Sequence, residues 1–144
     1  VNKKEIINNI KEQTEFLFDF GYNKRKEKNQ MWAYTLSYLS KNREFAIEFE
    51  LDCRDVDLFV LVTILDDGYL PKGYYVNNKK RVRIHIEKLY EAEKIKTGNW
   101  KEVTKLRKEL KGEYENRVPL LLNAYCKLIK DGINDINCLN INEL

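Results

Sequence analysis

The densest grouping of reactive side chains lies in a short run, Phe45 to Asp52, where Glu48, Glu50 and Asp52 recur at every second residue. A period of two sets all three on one face of a strand. Carboxylates that close repel one another unless a cation, a basic side chain or water relieves them. An oxygen-seeking ion such as Mg²⁺ or Ca²⁺ would do so. A nuclease site of the restriction-enzyme type would also want a lysine two positions after the second acid. None of Asp52, Asp55 and Asp57 is followed by one. A solvated strand face and a contact surface for a basic partner are the remaining readings of these acids.

Other chemistries are poorly supplied. His85 is the only histidine, so any Ser–His–Asp or Cys–His mechanism must run through it, and no nucleophile lies beside it in sequence. Cys53, Cys126 and Cys138 are odd in number and form no CxxC pair, which argues against a disulfide framework and a zinc site and fits a reducing, cytoplasmic setting. Neither GxGxxG nor GxxxxGK[ST] occurs. No metal or cofactor is implied, and an enzyme is not expected.

A second grouping is basic. Lys72, Lys79, Lys80, Arg81, Arg83 and Lys88 are interleaved with Tyr69, Tyr74 and Tyr75. Cations beside aromatic rings suit phosphate contact with base stacking, and Lys79, Lys80, Arg81 and Arg83 are the candidates for holding a polyanion. The bland alternative is solvent cover or charge pairing within the molecule. The net charge of +3 conceals this division: residues 44–67 hold eight acids against one arginine, and residues 72–111 hold thirteen bases against five acids.

The elements that must position these groups follow from periodicity. Residues 3–20 form an amphipathic stripe through Ile6, Ile10, Thr14 and Leu17, closed by Gly21. The polar stretch 23–29 reads as a solvated loop. Trp32, Tyr34, Leu36 and Tyr38 alternate with small polar residues, Phe45 to Leu51 alternate with acids, and Val56 to Leu65 is apolar on both faces. These are three consecutive antiparallel strands, with a fourth short one expected at 73–76. Asn78 is expected to cap a helix over 79–96. The competing reading makes 81–86 a strand, because Val82, Ile84 and Ile86 also alternate. Helices are expected at 99–111, with Asn99 and Glu102 as a capping box, and at 114–130. Strands followed by helices imply an α+β fold, a single domain over residues 1–144, with the helices packed on one sheet face. The 144 residues suffice for one core, and no apolar run approaches the roughly 20 residues that span a bilayer.

Pairing of 30–39 with 44–52 would set Ala33, Thr35 and Ser37 beside Glu48 and Glu50, a shallow surface with a carboxylate rim suited to a basic protein. The run from Asp57 to Arg83, DLFVLVTILDDGYLPKGYYVNNKKRVR, resembles small bacterial α+β proteins that include immunity proteins of polymorphic toxin loci. That resemblance implies a stoichiometric inhibitor covering a toxin's active site and turning nothing over. The expected contact residues are Glu48, Glu50, Asp52, Asp55 and Asp57, against a basic protein partner. The alternative is a nucleic-acid-associated protein, of bacterial or phage origin, using the basic segment 72–88. No membrane is implied.

Overall fold

A computed structural model describes residues 2–77 and 79–144. Helix α1 (Lys3–Thr14) opens where Asn2 accepts a hydrogen bond from the Glu5 N–H at 3.2 Å. Ile7, Ile10 and Thr14 are its buried stripe. The α-helix stops at Thr14, short of the expected Phe20. The Thr14 hydroxyl donates to the Ile10 carbonyl at 2.7 Å, a back-bond that bends helices, and residues Glu15–Phe20 continue as a 3₁₀ helix. Gly21 ends it with φ 96°, a conformation that favours glycine.

Strands β1 (Lys24–Asn29), β2 (Ala33–Leu39), β3 (Phe45–Asp52) and β4 (Asp57–Ile64) form consecutive antiparallel pairs. The last three match the sequence reading. Strand β1 does not, since its residues were expected in a loop. It is an edge strand, where lysines are favoured because they discourage further pairing, so it lacks an apolar alternation. Tertiary contacts fix it: Glu27 accepts from the Tyr34 hydroxyl at 2.6 Å, and the Arg25 guanidinium lies 5.3 Å from the centre of the Phe18 ring.

The chain then runs through a long segment, here the strap (residues 65–75), into a two-stranded ribbon, β5 (Val76–Asn77) and β6 (Lys80–Arg81). The expected strand at 73–76 is therefore reduced to its last residue. Strand β7 (Arg83–His85) joins the free edge of β4, giving the order β1-β2-β3-β4-β7. The helix expected over 79–96 is corrected accordingly. Val82, Ile84 and Ile86 all point inward at a period of two, and only α2 (Ile86–Glu91) is helical. The proposed cap, Asn78, lies outside the described residues. Helix α3 (Trp100–Glu109) begins after Asn99, whose side chain forms no cap hydrogen bond, so the capping box is not made. Helix α4 (Arg117–Asn137) runs seven residues beyond its expected end at Lys130, with Pro119 in its first turn, where the missing N–H is tolerated.

The architecture is thus α+β: a helix, a five-stranded antiparallel sheet and three further helices. Alternate residues of the strands, among them Tyr38, Phe49, Val60 and Ile84, form a continuous core with Ile10 of α1, Val103 of α3 and Leu121, Tyr125 and Ile129 of α4. Burying each such apolar side chain contributes about 1.5–3 kcal/mol. Among the described residues, no helix is long and apolar enough to cross a membrane.

Candidate partner-binding surface

The second face of the sheet carries the functional side chains. The register sets Thr35 opposite Glu50, Ser37 opposite Glu48 and Ala33 opposite Asp52, as the pairing of 30–39 with 44–52 requires. The face is not open along its length. The strap crosses it, and Leu70 packs on a small second cluster of Leu39, Ala46 and Leu65.

Arg83 holds the strap. Its Nε lies 2.7 Å from Oε1 of Glu48, and its Nη1 donates to the carbonyls of Gly73 and Tyr74 at 2.7 Å each. Glu48 is 1% exposed and also accepts hydrogen bonds from the Ser37 hydroxyl at 2.6 Å and from the Thr63 hydroxyl. Every oxygen of this carboxylate is used inside the molecule. The Tyr74 hydroxyl donates to Glu50, and burial, reinforced by that carboxylate, pushes the phenol well above its ordinary range. Tyr75 is tied to Nε2 of His85 at 3.3 Å.

Asp57 is also internally neutralised. Arg107 of α3 approaches it at 2.5 Å and Arg117 of α4 at 3.2 Å. Arg107 donates further to the Leu58 carbonyl and to the Tyr125 hydroxyl. Burial opposes the charge on Arg107, but Tyr125 and Asp57 outweigh it and raise its pKa. These contacts fix α3 and the start of α4 to the edge of β4.

Asp52 does a different task. Its Oδ1 accepts from the N–H groups of Arg54 at 2.9 Å and Asp55 at 3.0 Å, shaping the β3–β4 turn. Val56 in that turn has φ 51°, a strained conformation for a β-branched residue. The hydrogen bonds that Asp52 accepts, the two arginines on Asp57 and packing of Val56 against the core hold it there. The strained turn presents Arg54 and Asp55 to solvent.

The five acids expected to act together are therefore divided. Glu48 and Asp57 are consumed by arginines of the same chain, which corrects the continuous carboxylate rim. Glu50 and Asp52 are half-buried, and Asp55 is exposed. Of the basic candidates, Arg83 is the one drawn inside, whereas Lys79, Lys80 and Arg81 are exposed and form no ion pair with a described residue. Among the described residues, no group of three or more His, Cys, Asp or Glu side chains is placed to hold a metal ion.

What remains accessible on the second face is a shallow area floored by Ala33 and Thr35. The strap bounds it at Tyr74 and β1 bounds it with Lys26 and Lys28, whose register partners are Ser37 and Thr35. At its end the β1–β2 turn exposes Met31 (77%) and Trp32 (55%), with the Arg54 guanidinium 5.3 Å from the Trp32 ring centre. Sequence reasoning missed this aromatic end. Trp32 fits the alternation of β2, and only the position of the turn shows that it lies outside the core. No family model, curated protein or solved structure matches this chain.

Proposed function

We propose that the protein is a non-catalytic binding protein, an immunity-like inhibitor that covers a site on a protein partner. One observation carries this reading: Met31 and Trp32 at the β1–β2 turn and Tyr74 on the strap are large apolar and aromatic side chains left exposed on an otherwise packed fold. Trp, Tyr and Arg are the side chains that concentrate binding energy at interfaces, and Arg54 lies against Trp32 within this surface. Asp55 at the rim, with Glu50 and Asp52 beside it, supplies the negative charge for a basic partner. Glu48 and Asp57 have no part in the contact. Inhibition of this kind requires fixed geometry and no reacting group, and the strained but well-braced β3–β4 turn supports it.

The test is affinity capture from the native host with the full chain as bait, followed by binding kinetics on the captured protein. Trp32→Ala is expected to speed dissociation by about thirtyfold, as loss of a hot spot of roughly 2 kcal/mol requires. Asp55→Lys is expected to slow association, most strongly at low salt. A partner whose kinetics are unchanged by both substitutions binds elsewhere and overturns the reading.

A further inference from the structure

The basic segment is left unused by the partner surface, and the fold gives it a definite form. After the strap, β5 and β6 pair with Val76 opposite Arg81, and the Val82 N–H donates to the Tyr75 carbonyl at 2.7 Å. This register places the Tyr75 ring at the base of a ribbon whose other strand carries Lys80 and Arg81, with Lys79 in the turn. Lys72 stands in the strap just before. All four cations are exposed, and none forms an ion pair with a described residue.

Tyr75 is held in place yet accessible. Its hydroxyl meets Nε2 of His85 at 3.3 Å, the Tyr74 ring meets it edge-on with centres 4.4 Å apart, and 46% of the residue remains exposed. A ring fixed in this way loses little conformational entropy when a planar group stacks on it. Phosphate-binding cations next to a pre-set aromatic face match the requirements of an unpaired strand, whose bases are free to stack; a duplex keeps its bases stacked on one another.

We propose that the ribbon and the adjoining strap bind single-stranded nucleic acid, with Lys72, Lys79, Lys80 and Arg81 on the phosphates and Tyr75 under a base. The surface adjoins the partner surface at Tyr74, whose ring meets Tyr75, but uses none of Met31, Trp32, Arg54 and Asp55, so substitutions at those four residues and in the ribbon test the two readings separately.

The experiment is fluorescence anisotropy of a labelled 20-nucleotide oligo-dT with the full chain at 50 and 200 mM NaCl. Four phosphate contacts on a single strand predict that the association constant drops about fiftyfold between those concentrations. In Lys79→Ala/Lys80→Ala/Arg81→Ala, binding at 50 mM is expected to weaken and the same salt step to cost only about threefold, with an unchanged melting curve showing that the variant folds. Tyr75→Phe keeps the ring and is expected to bind like the unsubstituted chain, whereas Tyr75→Leu loses on the order of tenfold. No anisotropy change at 50 mM overturns the proposal, as does an unaltered salt slope in the triple variant. Equal binding by Tyr75→Leu would reveal a charge-only surface and remove the base contact. Tighter binding of a 20-bp duplex than of oligo-dT would remove the preference for single strands. Either result overturns the assignment as stated.

Discussion

Removing the Arg83 guanidinium should be far more damaging than its place in a short edge strand suggests. In Arg83→Met the side chain keeps much of its bulk, so packing changes little, but Glu48 loses the one cation that pairs with it among the described residues while remaining 1% exposed. Two opposite charges about 4 Å apart interact with about 4 kcal/mol at an effective dielectric constant of 20. Substitutions that strand one member of a buried pair typically cost about 3–5 kcal/mol, a range that this value meets. The Gly73 and Tyr74 carbonyls lose their donor in the same step, which releases the strap. For a domain of this size each kcal/mol lowers the melting temperature by about 3 °C, so Arg83→Met should melt roughly 10–15 °C lower. Circular dichroism melts and urea titrations measure the change, and amide exchange at 73–76 should accelerate beyond the global effect. Glu48→Gln combined with Arg83→Met should recover much of the loss, because no buried charge is then left unpaired. A loss below about 1 kcal/mol for Arg83→Met alone would refute the claim that this pair locks the strap.

Gly132→Ala sets helix propensity, which favours Ala by about 1 kcal/mol, against space. A Cβ there would meet the Thr97 carbonyl at 2.8 Å as well as the Tyr90 hydroxyl, so the variant should be destabilised by about 1–3 kcal/mol in urea titrations. Hydrogen bonds from the backbone N–H groups of Lys96 and Thr97 lower the Asp135 pKa. A lowered carboxylate stabilises the fold above its unfolded pKa and ceases to do so as pH falls through its folded value. The Asp135 carboxyl should therefore titrate below the ordinary aspartate range by NMR, and the Lys96 and Thr97 amide signals should shift with it. Burial pushes the Cys126 thiol up to about 12, so labelling with iodoacetamide near neutral pH should modify the exposed Cys138 and leave Cys126 intact until the chain unfolds, as peptide mass spectrometry can read.

Strands β2 and β3 were legible because each buries one face and shields the other, which leaves an alternation of residue types, and β4 because it is a short β-branched and apolar run on both faces. Strand β1 left no such mark. KRKEKN is polar on both faces, and its pairing is dictated by the free edge of β2 rather than by its own preferences. The stretch 82–86 was ambiguous for a different reason: Val82 and Ile86 satisfy a helical spacing of four and a strand spacing of two with Ile84 between them. The vacant edge of β4 decides for the strand. Grouping of Glu48, Glu50 and Asp52 on one face was also legible, since it requires only the period of two. What neutralises the neighbouring acids was not. Arg83 reaches Glu48 across 35 residues, and Arg107 and Arg117 reach Asp57 across 50 and 60, separations fixed by strand order and helix packing.

Charge division along the chain therefore does not translate into charge division in space. The acidic strand β3 and the basic segment lie on opposite sides of β4, so folding brings their members together on one face, and Glu48 with Arg83 cancels at the point of closest approach. A pair that cancels contributes almost nothing to the field at a distance, however much it contributes to stability. Exposed charges that form no ion pair with a described residue, among them Asp55 on the β3–β4 turn and Lys79 to Arg81 on the ribbon, contribute to what an approaching molecule meets. The two roles are thus separable by substitution. Neutralising Asp55 or the ribbon lysines should change association rates and their salt dependence with little effect on melting, whereas neutralising Glu48 and Arg83 together should alter stability and leave long-range steering as it was.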